Sequence, residues 1–459
     1  MTIIHHPMGR TTTELVASTV LGLLAATGCA LAADTTEPRQ PADAYITAFR
    51  RHLDLAEQDL PHIARLAEGT ADQFIKNQTV KIAMNDHYFF SELTGRASGL
   101  TGIDGWSGEQ TAAENQLLLI ALDSTPDDRD AEQHWLNTAA QARGANVVLL
   151  ANRTDLAAMN HPEAQRPFQP SDFYGFVDSH VPEGEFTYRM PGAGADANRA
   201  MLSSVINAMN GWLFTGELAA ACTRRGEMPV FWLAFQVDIP RAFARNTLYS
   251  TTGKARGNQK RFHDDFTVPP VAAGTVGASY IAHLRSYLDR LERWPDLELA
   301  VRRIAAAIQR GKKVYFYGVG HMFPHVVARS QREHTMTVMD AHYFDLEKAI
   351  LEAGQPGDVL FLLCMPAFED KTVTSALEKG IEVIAMSTTQ PPEAIQSHEN
   401  LHWIAAPWPT ADGCVEIPGY DIPVLAVSGV MHSVIYYAVR SQVDFELAVA
   451  GRQPVPAGE

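Results

Sequence analysis

An apolar run, Val314–Tyr317, leads directly into Gly318-x-Gly320-His321. Glycines at such a point let a ligand approach the backbone. The imidazole that follows titrates near neutrality, which suits proton transfer at a hydroxyl or ring oxygen. A second stretch, Asn85-Asp86-His87, also follows an apolar run and also ends on histidine. A third, Arg261-Phe262-His263-Asp264-Asp265, combines a donor, a titratable ring and two acceptors. A neighbouring aspartate raises imidazole basicity and can fix its tautomer. Carboxylates close the set. Glu369 follows the segment that carries Cys364 and Met365, and Asp340 and His342 lie in Met-Asp-Ala-His-Tyr-Phe. A base removing a carbon-bound proton needs a group such as Glu369. The bland readings stand beside these: His87 and His321 as helix caps, Glu369 and Asp370 as first-turn acids favoured by a helix dipole, and 261–265 as a solvated loop. Cys364 reads as a buried small hydrophobe, Asn210 and Glu217 as polar contacts between domains, and Arg224-Arg225-Gly226 as a helix end.

Several chemistries find no motif. There is no G-x-S-x-G elbow, no phosphate-binding G-x-x-x-x-G-K-[ST] and no zinc-binding H-E-x-x-H. Phe323 stands where a dinucleotide fingerprint would need its third glycine. His321 and His325 have helical spacing, but Pro324 lies between them. No cofactor and no metal are expected.

The elements that must position these residues repeat. Tyr45, Leu53, Asp54 and Glu57 match Tyr280, Leu288, Asp289 and Glu292 at one constant offset. Further on, His87 falls on His321 and Phe89 on Phe323. Gln116–Asp128 then matches Asp358–Asp370 in order, and each copy closes on a long apolar helix. Kept order over this length means a duplicated domain. The apolar runs are continuous rather than alternating, as parallel strands covered on both faces require. Helical stretches between them, such as the one stopping at Gly380, give a doubly wound α/β sheet. Ligands of such sheets bind beyond the carboxyl ends of the strands. Those ends are where Gly318–His321, Cys364–Asp370 and Asn85–His87 fall.

The chain has 459 residues, too many for one ordinary core. A net charge of −16 argues against nucleic acid or an anionic membrane surface as the main partner. Residues 1–33 read as an export signal: an apolar run that ends in small residues. Two processing sites compete, Ala30-Leu31-Ala32 for ordinary cleavage and Ala26-Thr27-Gly28-Cys29 for lipidation at Cys29. The expected location is periplasmic, or membrane-anchored through that lipid. Cys222, Cys364 and Cys414 then remain, an odd number without a disulfide framework.

A long leading helix, a strand ending in G-x-G, and a Gly-Asp-Val-Leu-Phe-Leu-Leu strand followed by Ala376–Ser387 together resemble the sugar isomerase (SIS) domain. The resemblance is strongest over 280–390 and extends over 45–155. It implies two flavodoxin-like, three-layer αβα domains at 41–236 and 278–447, joined by a segment at 237–277 and followed by a tail at 448–459. It also implies a small-molecule sugar or sugar derivative as partner, a homodimer, and either aldose–ketose isomerisation or binding without turnover. A structural assembly role is the further alternative. From the residues themselves, His321, which stands where the family has a small or hydroxyl residue, His263 and Glu369 are the catalytic candidates. Gly318, Gly320, Asn85, Asp86, His87, Arg261, Asp264, Met365, Asp340 and His342 are the binding candidates. The family's phosphate loop reads S-x-S-G-x-T. The equivalents here, Asp123-Ser124-Thr125-Pro126-Asp127 and Cys364-Met365-Pro366-Ala367-Phe368, lack that pattern and its glycine.

Overall fold

The computed structural model describes residues 41–84, 87–108, 115–122, 129–142, 144–181, 185–188, 198–234, 239–249, 261–264, 267–291, 295–318, 335–339, 345–364 and 370–451. The first half runs α1 (Pro41–Asn77), β1 (Val80–Ala83), α2 (His87–Leu93), β2 (Ile103–Trp106), β3 (Leu117–Ala121), α3 (Arg129–Gln141), β4 (Asn146–Ala151) and α4 (Arg153–Leu156). A short hairpin, β5 (Asn160–His161) and β6 (Arg166–Pro167), precedes β7 (Gly175–Asp178). A second hairpin, β8 (Glu185–Tyr188) and β9 (Asn198–Met201), leads into α5 (Ser203–Thr223). After α6 (Ile239–Tyr249) the second half repeats the plan: α7 (Thr275–Leu291), α8 (Pro295–Gln309), β10 (Val314–Gly318), β11 (Thr337–Val338), α9 (Leu346–Ala353), β12 (Val359–Leu363) and α10 (Asp370–Glu378). It ends β13 (Glu382–Ser387), α11 (Glu393–Gln396), β14 (Leu401–Ala405), the hairpin β15 (Gly413–Val415) and β16 (Val424–Ala426), and α12 (Ser428–Val449).

Each half holds a five-stranded, wholly parallel sheet. The orders are β2-β1-β3-β4-β7 and β11-β10-β12-β13-β14, the same flavodoxin-type order in both. The continuous apolar runs form these strands: every residue of β3, β10 and β12 is buried. Alternate residues face opposite ways, so Phe316 and Phe361 join one core cluster while Tyr315, Tyr317, Leu360 and Leu362 join another. Both faces are covered, and each half is a three-layer αβα unit. α10 stops two residues before Gly380, whose φ of 79° is the left-handed stop its sequence predicts. Arg224 caps α5, and Gly226 follows at φ 77°. Cys222, Cys364 and Cys414 are buried and form no disulfide among the described residues.

Residues Gln40–Glu459 form one compact unit. The two halves meet with pseudo-twofold reciprocity. Arg50 of α1 pairs with Asp289 of α7 at 2.9 Å, and Arg285 of α7 pairs with Asp54 of α1 at 2.6 Å. Arg50 is the repeat equivalent of Arg285, and Asp54 of Asp289. Such exposed pairs contribute little individually, but their exchange is the signature of an isologous interface. Inside, Tyr45 donates to the Met201 carbonyl at 2.7 Å and its twin Tyr280 to the Ala426 carbonyl at 2.8 Å. Glu217 of α5 accepts the amides of Gly274 and Gly277 at the start of α7, at 2.7 and 2.8 Å. Its twin on α12, Gln442, accepts the Ala42 amide at the start of α1 at 3.4 Å. Each closing helix therefore ties down the leading helix of the other half. Among the described residues no helix is long and apolar enough to cross a membrane.

Candidate functional site

The carboxyl ends of the strands are the natural ligand edge of each sheet. Gly318 is the last residue of β10 and pairs with Leu363 of β12, so it stands on that edge. Gly320, His321, Asp340, His342, Met365, Glu369, Asn85 and Asp86 lie outside the described residues. His87 is the first residue of α2, but its side chain also lies outside them.

The connecting stretch is described over 261–264, and it sits elsewhere. Arg261 is buried against Asp104, the second residue of β2, at 3.3 Å, and Lys81 approaches the same carboxylate at 3.4 Å. Burial lowers the pKa of the Arg261 guanidinium. The Phe262 ring lies 5.0 Å from Phe74, in the last turn of α1. The His263 ring is buried, with Nε2 3.3 Å from Tyr420 Oη. Arg245 of α6 also reaches Tyr420, at 2.6 Å, and Asp421 at 2.8 Å. Backbone bonds from Val230 to Arg261 and from His263 to Met228 fix the segment. Its neighbours are the end of α1 and the start of β2, so Arg261 and His263 stand at the amino end of the first sheet, away from its ligand edge. Asp264 is exposed.

A buried ionic cluster lies where the halves meet, and the sequence reading missed it. Arg96, four residues beyond Glu92, donates to Glu92 Oε2 at 2.7 Å, to Asp412 Oδ2 at 3.1 Å and to Ser428 Oγ at 2.5 Å. Trp212 Nε1 donates to Glu92 Oε1 at 3.0 Å. Asp412 Oδ1 accepts the Val427 and Ser428 amides at 3.2 and 2.8 Å, which places a carboxylate on the first turn of α12. Glu92, Arg96 and Asp412 are at most 1% exposed. Desolvation pushes the Glu92 carboxyl up to about 7, with Asp412 adding to the rise and Arg96 and Trp212 opposing it. Gly429 is required here, because a Cβ would collide with the Glu92 carboxylate. Ser98 and Asp412, which flank the junction, hold the uncommon φ values of 63° and 66°. Leu425 N and the Ser98 carbonyl complete the stitch at 2.8 Å.

Both closing helices run antiparallel to their sheets. In α5, Asn207 Nδ2 donates to the Leu122 carbonyl at 2.8 Å, just past the end of β3, while Arg224 at the other end meets Glu68. In α12, the Tyr436 ring lies 4.4 Å from that of Phe316, tilted by 37°, and Asp444 binds Thr335, two residues before β11. His432 lies one turn nearer the helix start, about 5.4 Å. That is the level of Gly318, which is two residues or about 6.6 Å beyond Phe316. Asn207 and His432 are twins, each four residues after the serine that opens its helix.

These twins present polar atoms with no hydrogen-bond partner among the described residues: Ser203 Oγ, Asn207 Oδ1 and Asn210 Oδ1 on α5, and His432 Nε2 with Trp408 Nε1 in the second half. The Trp408 ring stands 5.1 Å from His432. Burial first, and Arg96 second, pull the His432 pKa down to about 3, so the ring is a neutral donor–acceptor. Ser203, Asn207 and Asn210 are at most 3% exposed. Buried polar groups left unpaired in this way are costly and rare. These five lie on or beside the two closing helices and are some of several such atoms among the described residues. Among the described residues no group of three His, Cys, Asp or Glu could hold a metal.

Comparison with known proteins gives no matching family model and no matching curated protein. Among solved structures, the chain is similar to a proposed phosphosugar isomerase from Silicibacter pomeroyi (13% identity, 91% of this chain and 100% of that one, TM-score 0.43). It is also similar to a proposed phosphosugar isomerase from Clostridium difficile 630 (11% identity, 91% and 96%, TM-score 0.45). A third likeness is to the C-terminal domain of glucosamine-fructose-6-phosphate aminotransferase from Francisella tularensis (8% identity, 89% and 98%, TM-score 0.43). Identities and scores this low carry nothing about substrate or activity. The fold rests on strand order and on the duplication.

Proposed function

We propose that this tandem SIS-type fold binds a small carbohydrate derivative at the carboxyl edges of its two sheets. One observation supports the reading above the others: the twin positions 207 and 432 place buried, unpartnered amide and imidazole atoms at those edges. A polyhydroxylated ligand supplies the donors and acceptors these atoms lack. Trp408 adds an apolar face beside His432. His263, at the amino end of the first sheet, has no part in this reading.

A thermal-shift screen of neutral, amino and phosphorylated sugars tests the proposal. A ligand at one hundred times its Kd stabilises by about 2.7 kcal/mol, an easily measured rise in midpoint. His432→Leu removes an unpartnered polar atom from a buried site, so the unliganded variant should melt at or above the parent temperature. It should lose the ligand-induced rise. A variant that melts lower and still responds fully to sugar would contradict the assignment.

Turnover is the second reading, favoured by Glu92. Its carboxyl, with a pKa of about 7, lies over Gly429, less than one turn from His432. A carboxylate and a neutral imidazole can move a proton between adjacent carbons through an enediol, the carboxylate taking the carbon-bound proton and returning it to the neighbour. Solvent deuterium appearing at the carbon beside the carbonyl would establish this. Its absence with a bound sugar would leave a binding protein. The reading includes export, based on the apolar run of residues 1–33 with its competing sites at Ala32 and Cys29. The amino-terminal sequence of secreted protein tests that part.

A further inference from the structure

The junction of the halves concentrates backbone strain. Among the described residues seven non-glycine positions have positive φ, and three of them meet here: Ser98 at 63°, Asp412 at 66° and Leu425 at 61°. For a side chain as bulky as leucine this conformation is an outlier. The three are tied together. Leu425 N donates to the Ser98 carbonyl at 2.8 Å, Ser98 Oγ donates to the carbonyl of Ala411 at 3.1 Å, and Val427 N donates to Asp412 at 3.2 Å. Two glycines let the halves come this close. A Cβ at Gly413 would meet Ser98 Oγ at 2.5 Å, and one at Gly429 would meet the Glu92 carboxylate at 2.0 Å. Strained residues persist only where their surroundings hold them, and they gather at switch regions.

What holds them is the ionic cluster, and its charges are unbalanced. Among the described residues Glu92 and Asp412 share one cation, Arg96. With Glu92 protonated, one cation faces one carboxylate. With Glu92 ionised, a surplus negative charge is buried against the backbone of Gly429, and burial makes such a charge costly. The other groups around it are Trp212 of α5, Tyr280 of α7, Cys414 of β15 and His432 of α12, and none of them supplies a second positive charge. We propose that this junction is a proton-operated latch: protonated Glu92 clamps the start of α12 to the first half, and ionised Glu92 lets the strained stretches at Ser98, Asp412 and Leu425 relax apart. His432 lies three residues along α12 from Gly429, so the latch also sets where that ring stands. The latch itself is independent of whether a sugar binds. Opening returns Glu92 to water and to its ordinary acidity, which links the opening to pH.

Amide hydrogen exchange on the full chain tests this, read as protection factors so that the intrinsic effect of pH on exchange is removed. Between pH 4.5 and 7 the protection of the Leu425, Val427 and Ser428 amides should fall on the order of fiftyfold, the factor set by a carboxyl at about 7 when closed and 4.5 when open. At pH 7 these amides should exchange faster than those of β12, which open only with the whole fold. Protection equal to that of β12 would mean that the junction does not open on its own, and would overturn the latch. Glu92→Gln, which mimics the protonated acid, should keep the three amides protected at pH 7. Asp412→Asn, which removes the second carboxylate, should shrink the fall. A fall that persists undiminished in Glu92→Gln overturns the proposal, and the contrast within the parent protein decides it even without a variant.

Discussion

Arg96→Met should lower the free energy of unfolding by about 3–5 kcal/mol, the cost of leaving buried charge without its partner. Arg96 is 1% exposed and bridges two carboxylates that are themselves 0% exposed. Methionine fills much of the guanidinium's space, so the loss is electrostatic rather than a cavity. Among the described residues Glu92 then keeps its bond from Trp212, while Asp412 keeps those from the Val427 and Ser428 amides. Since Glu92 belongs to the first half and Asp412 to the second, the damage falls on the junction of the halves. Denaturant titration of parent and variant measures it. A loss below about 1 kcal/mol would put this cluster on a par with an exposed pair.

Stability should also fall as pH rises from 4.5 to about 7, and Glu92 should be the cause. Its carboxyl has an ordinary value of 4.5 and is held up to about 7 in the fold. The folded state therefore binds a proton that the unfolded chain has already released in that window. The stabilisation is complete below pH 4.5 and is lost between pH 4.5 and 7. A difference of this size corresponds to about 3 kcal/mol. The groups facing Glu92 are Arg96 from the following turn, Trp212 from α5, Asp412 ahead of β15, and Gly429 at the start of α12, with Tyr280 of α7 close enough to be felt. His432, neutral down to about pH 3, stays uncharged throughout the window. Glu92→Gln should flatten the difference curve between pH 4.5 and 7. Parallel curves for parent and variant would show that Glu92 does not titrate there.

The architecture was legible because its causes are local. Continuous apolar runs such as Val359–Leu363 can only be strands covered on both sides, and the Tyr45/Tyr280 and Asp54/Asp289 matches reported the duplication. The reciprocal pairing of those residues across the halves was not legible, since nothing in either helix says that Arg50 meets Asp289 rather than a local acid. The ionic cluster stayed hidden for the same reason. Glu92 and Arg96 show helical spacing, but Asp412 and Ser428 lie more than three hundred residues away. His432 sits in an apolar helix that reads as pure core. Only alignment of the two closing helices, with Asn207 opposite His432, could have singled it out. In the connecting stretch, the mix of charges in 261–265 looked like a reaching loop. Its actual neighbours, Tyr420 for His263 and Asp104 for Arg261, are each 157 residues distant.

The most direct measurement is a crystal structure of the full chain soaked with the best ligand from the sugar screen. The account predicts a sugar at a carboxyl edge, with hydroxyl groups within hydrogen-bond distance of Asn207 Oδ1 or His432 Nε2. A sugar seated instead against Arg261, His263 and Tyr420, or anywhere that leaves both twin side chains untouched, would contradict it.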